Sequence, residues 1–188
     1  MSCLTTIYHL LCCGCCVDNK IMNINKIIKY MYNDMEYLDK ITYENTTPFI
    51  PPITAGKVVK VYDGDTFTLA AKLPNTDGPV YRFTVRLNGI DTPESRTKDK
   101  DEKTRGELSK NKLKELIENK IVKISTTIDP DDKFGRILAI IETKEGINVN
   151  EWLVTNNYAV AYKGQNKELV QEAHQKNTEI LRARGELK

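Results

Sequence analysis

The chain has 188 residues, 40% of them hydrophobic and 29% charged, which is enough for one well-buried core plus an appendage and excludes a chain disordered throughout. A net charge of +2 falls short of the excess carried by proteins that wrap nucleic acid non-specifically, so any grip on a polyanion must be local, with a metal supplying charge that the side chains lack. All 5 cysteines lie within the first sixteen positions, so the rest of the chain contains no disulfide.

Residues 1–19 form a Cys-rich apolar leader holding Cys3, Cys12, Cys13, Cys15 and Cys16. Four readings compete for it. S-acylation of Cys12, Cys13, Cys15 and Cys16, giving membrane association, is favoured, because several lipid chains provide stable anchoring. A secreted protein with a cleaved leader is the alternative, although no Lys or Arg precedes the apolar run. A buried or fraying N-terminus comes next. Metal binding comes last, because Cys-Cys-Gly-Cys-Cys lacks paired C-x-x-C spacing. The run at 3–17 is shorter than the ~20 residues of a membrane span and contains His9.

Residues 20–40 place Ile21, Ile24, Ile28, Met31, Met35 and Leu38 at alternating steps of three and four, the stripe of an amphipathic helix. Residues 41–55, with Pro48, Pro51 and Pro52, read as a linker. From 56 to 188 the pattern is that of a separate domain. Strands are predicted at 57–62 and 66–72, flanking an Asp-Gly bend. A third is predicted at 80–88, where Tyr81, Phe83, Val85 and Leu87 alternate with Arg82, Thr84 and Arg86. Gly89 follows as a bend that re-aims Asp91. Residues 96–105 read as a charged loop, and 106–120 as a helix burying Leu108, Leu113, Leu116 and Ile117. A strand pair at 121–127 and 136–142 spans a turn at 129–135, and helices are predicted at 149–156 and 166–184. Five short strands interrupted and followed by helices define an α+β class: a five-stranded oligonucleotide-binding (OB-fold) β-barrel with about three helices, plus an N-terminal helical extension.

Three stretches carry chemistry: Asp63-Gly64-Asp65-Thr66, Arg86-Leu87-Asn88-Gly89-Ile90-Asp91-Thr92-Pro93-Glu94, and Asp132-Lys133-Phe134-Gly135-Arg136. Asp65 and Asp91 are hard oxygen donors, and Pro93 holds Thr92 extended so that its carbonyl can join them, a set suited to Ca²⁺. Glu94 is a carboxylate able to accept a proton from water. Arg86 and Arg136 can fork phosphate oxygens, which lysine does less well. Taken singly, each residue also suits a turn or a surface ion pair, Arg86 with Asp65 included.

Taken together, the three blocks resemble the staphylococcal nuclease (thermonuclease) family from about Gly56 to Tyr162, with Val149-Asn150-Glu151 and Ala159-Val160-Ala161-Tyr162 extending the match. The resemblance implies a barrel with helices and Ca²⁺-dependent endonuclease cleavage of DNA, RNA or both. It assigns Asp65, Asp91 and the Thr92 carbonyl to the metal, Glu94 to the general base, Arg86 and Arg136 to catalysis, and Tyr162 to a wall of the substrate pocket. Tyr158 is a second candidate stacking face. The sequence departs from the family in having Phe134 where many members carry tyrosine, and in running through Gly185-Glu186-Leu187-Lys188 without the tryptophan that often closes the last helix. A monomer is expected. The rival reading is a non-catalytic OB-fold module that binds nucleic acid without cutting it.

Overall fold

The computed structural model describes residues 24, 26, 28, 29, 35–127 and 136–187. The readings made above for 1–19, for Phe134 and for the 129–135 turn fall outside them. The chain divides into two compact units between Pro48 and Phe49. In the first, residues 24, 26, 28, 29 and 35–38 of the expected amphipathic helix are helical, 39 and 40 form a turn, and Ile24, Ile28, Met35 and Leu38 are exposed. Among the described residues no helix is long and apolar enough to cross a membrane.

The second unit is built on a closed five-stranded barrel, as the alternating sequence pattern predicts. Its strands are β1 (Ala55–Val61), β2 (Thr66–Ala71), β3 (Tyr81–Leu87), β5 (Ile121–Thr127) and β6 (Ile137–Thr143), with order β1-β2-β3-β6-β5. The β1–β5 pairing closes the ring, Gly56 lying opposite Val122, and every barrel pairing is antiparallel except β3–β6. The inward positions Phe67, Leu69, Val85, Leu87, Val122, Ile124, Ala139 and Ile141 fill the interior, as period-2 strands require. In β1 a bulge between Val58 and Lys60 adds a residue, so Val58 and Val61 both face the core although simple alternation would separate them. Ile53, within the stretch read as a linker, is buried in the same core.

Three α-helices cover the barrel: α1 (Lys100–Ile117), α2 (Val149–Thr155) and α3 (Lys167–Ala183). Helix α1 begins earlier than the sequence suggests. Asp99 caps it, accepting from the amides of Asp101 (2.9 Å) and Glu102 (3.1 Å), so residues 100–105 of the expected charged loop are helical. The buried face of α1 is Gly106, Ser109, Leu113 and Ile117, whereas Leu108 and Leu116 are only partly buried against the core. A two-stranded sheet of β4 (Ile90–Asp91) and β7 (Val160–Ala161) lies beside the barrel. Helix α3 ends in a Schellman turn: Gly185 has φ +74°, its amide donates to the Arg182 carbonyl, and that of Glu186 to Leu181. This turn sends Leu187 into the core, 8% exposed, so the end of the chain packs without the tryptophan of the family pattern.

Candidate active site

Pairing of β2 with β3 sets the centre of the site. Thr66 lies opposite Arg86, so Asp65, one residue before β2, meets the arginine side chain. Arg86 Nη1 lies 2.7 Å from Asp65 Oδ2, and its Nη2 lies 3.4 Å from Asp91 Oδ1. One guanidinium therefore holds two carboxylates from separate stretches. Asp65 is 5% exposed, and the Thr66 hydroxyl donates to its Oδ1 at 2.7 Å. Burial raises the Asp65 pKa above the ordinary carboxylate range, and the Arg86 charge opposes that rise.

Asp91 reaches this point because Gly89 turns the chain at φ +74° and β4 then pairs with β7, Asp91 opposite Val160. Asn150 buttresses that turn. Buried on α2, it donates to the carbonyls of Asn88 (2.8 Å) and Ala139 (3.1 Å) and accepts from the Ile141 amide (3.1 Å). The turn at Asp63 and Gly64 packs on the 92–95 loop. Asp63 Oδ1 accepts from the amides of Gly64 (3.2 Å) and Ser95 (3.3 Å), while a Cβ on Gly64 would stand 2.9 Å from Thr92 Oγ1. Thr92 is buried and Glu94 exposed at the edge of this acidic group. The Glu94 pKa is raised, first by partial burial and then by the charges of Asp63, Asp65 and Asp91, with Arg86 acting against them.

These residues open on a cavity of ≈ 510 Å³ whose lining includes Arg86, Asp91, Thr92, Glu94, Tyr162 and His174. Tyr162 is 40% exposed, and its amide donates to the Gly89 carbonyl at 2.8 Å. Arg136 stands half-buried immediately before β6, the strand whose Leu138 pairs with Arg86. Tyr158 does not serve as a stacking face. It is 6% exposed, stacked on Trp152 with ring centroids 5.5 Å apart, and its hydroxyl donates to Glu186 at 2.5 Å. The sequence reading leaves out His174, whose Nε2 lies 3.0 Å from Asp91 Oδ2. Its only signal is a polar residue on the otherwise buried face of α3, between Val170 and Leu181.

The donor chemistry suits a hard cation. Asp65, Asp91 and the Thr92 carbonyl offer only oxygen, and the two carboxylates converge closely enough to share one guanidinium. Among the described residues no three His, Cys, Asp or Glu side chains gather into a metal-holding group.

A closed five-stranded barrel with helices packed on it, and with acids and an arginine converging on an open cleft, defines an α+β protein of the OB-fold class. The staphylococcal nuclease homologue family model matches residues 84–185. An uncharacterized endonuclease of Escherichia coli is 27% identical, over 72% of this chain and 78% of its own length. An uncharacterized protein of Methanocaldococcus jannaschii is 31% identical, over 80% of this chain and 75% of its own length. The chain belongs to the staphylococcal nuclease homologue family. It is a nuclease, a hydrolase whose substrate is nucleic acid.

Proposed function

We propose that the protein is a Ca²⁺-dependent endonuclease cutting phosphodiester bonds of DNA, RNA or both, with Glu94 as general base and Arg86 and Arg136 as the catalytic cations. The observation that carries this reading is the double engagement of Arg86 by Asp65 and Asp91, beside Glu94 in one cleft. Asp65, Asp91 and the Thr92 carbonyl would hold Ca²⁺, which when bound supplies positive charge against the phosphate oxygens. Glu94 accepts a proton from the water that attacks phosphorus. The Arg86 fork stabilises charge growing on the equatorial oxygens, with Arg136 approaching from β6. Tyr162 offers an exposed ring for stacking on a base, which favours single-stranded or frayed substrate.

The test is cleavage of single-stranded and duplex DNA and of RNA, in Ca²⁺ and in EGTA, by the wild-type and Arg136→Ala proteins. Cleavage in Ca²⁺ alone is expected, with the variant slower by about 10²–10³-fold. Equal rates in EGTA, or an Arg136→Ala protein at wild-type rate, would sink the assignment.

A further inference from the structure

The buried face of α3 is Val170, His174, Thr178 and Leu181, and His174 is its odd member. A histidine at such a position needs a polar partner, and it finds one in a proposed metal ligand. The imidazole is 5% exposed, with Nε2 3.0 Å from Asp91 Oδ2. A carboxylate oxygen accepts, so Nε2 carries the proton and donates. The other oxygen of the same carboxylate, Oδ1, lies 3.4 Å from Arg86 Nη2. Asp91 is thereby gripped from two sides, by the barrel through Arg86 and by the last helix through His174.

The helix that carries the ring is fixed in turn. The Thr178 hydroxyl donates to the His174 carbonyl at 2.7 Å and accepts from Arg105 Nη1 of α1 at 3.1 Å. Asn177 Nδ2 donates to the Ala159 carbonyl at 3.0 Å, one residue before β7, the strand paired with Asp91. Both ends of the Asp91–His174 bond are therefore tied to the same two-stranded sheet. Such a bond has little freedom to choose another geometry.

We infer that His174 is a positioning residue: its Nε2–H holds the Asp91 carboxylate in the one orientation that turns Oδ1 toward Arg86 and Asp65. This inference rests on the Ca²⁺ reading given above. Outer-shell donors of this kind typically change metal affinity by about 10- to 100-fold when removed, because the ligand must then be ordered at the expense of binding. A histidine that only filled the core would leave metal affinity unchanged when replaced by an apolar residue of similar size.

The experiment is calorimetric titration of Ca²⁺ into the full-length wild-type, His174→Leu and His174→Gln proteins, with melting temperatures measured alongside. The glutamine retains an N–H donor, whereas the leucine does not. His174→Leu is expected to bind Ca²⁺ about 10- to 100-fold more weakly, and His174→Gln within about threefold of wild type. Wild-type affinity in a folded His174→Leu protein would overturn the inference. So would an equal loss in both variants at wild-type melting temperature. If the leucine variant does not fold, His174→Met takes its place with the same two outcomes, and loss of affinity in His174→Gln at an unchanged melting temperature contradicts the donor role. A wild-type chain that binds no Ca²⁺ overturns the metal-dependent reading itself, a result distinct from a failure of His174.

Discussion

Arg86 has two duties that pull its mutational phenotype in the same direction. It lines the cleft, where it is the proposed phosphate-binding fork, and it neutralises Asp65, a carboxylate only 5% exposed. Removing the arginine leaves a buried charge without its cation, which is costly in stability as well as in activity. The arginine alone is therefore a blunt probe of mechanism. Tyr158 offers a cleaner residue-level prediction. Burial, followed by its hydrogen bond to Glu186, pushes the phenol up to about 12 from 10.0. Because the folded-state pKa is raised, the stabilisation is fully present below about pH 10 and is lost as pH rises through about 12. Thermal melts of wild type and Tyr158→Phe between about pH 9 and about pH 12 should show the wild type falling more steeply. Parallel curves would contradict the assignment. Apart from the family resemblance, no local pattern distinguishes Tyr158 from Tyr162 as a cleft-facing ring. Only the fold, which stacks one on Trp152 and leaves the other exposed, separates their roles.

At the scale of elements, α1 does more than cover the barrel. Gly106 lies on its buried face, and a Cβ there would stand 2.6 Å from the Glu94 carbonyl carbon and the Ser95 nitrogen. The missing side chain lets the helix press directly on the loop that carries Glu94. Helix propensity alone predicts that Gly106→Ala stabilises the protein by about 1 kcal/mol. The contact predicts the opposite, since backbone on both sides must move and Glu94 moves with it. The expected outcome is a lower melting temperature and a cleavage rate reduced by roughly tenfold or more, as misplacement near the chemistry gives. A more stable variant with wild-type activity would refute the contact argument. Strand positions were legible because alternation of apolar residues reports them directly. The first turn of α1 was not, because residues 100–105 are charged and carry no apolar period. Its cap, Asp99, looked like one more loop acid until its two amide partners were seen.

For the whole molecule, the first two of the three acidic and arginine-bearing stretches do different things in space. Asp63-Gly64-Asp65 supplies both a cluster carboxylate and, through Asp63, a clamp on the Ser95 amide. The Arg86–Glu94 block crosses from the barrel wall through Gly89 into the small sheet with β7. Local spacing could propose Asp65, Asp91, Glu94 and Arg86 because turn chemistry and charge are local signals. Contacts between distant segments could not be read in the same way. The parallel β3–β6 pairing, the Asn150 buttress and the His174–Asp91 bond join positions far apart in the chain, which no local pattern encodes. The central claim, that Glu94 activates the attacking water, is tested most directly by single-turnover cleavage with the Glu94→Gln protein. The substitution preserves size and removes the base. Substrate binding in Ca²⁺ should stay within a few-fold of wild type while the chemical rate falls by roughly 10²–10⁴-fold. A Glu94→Gln protein that binds substrate and cleaves it at the wild-type rate would contradict the account.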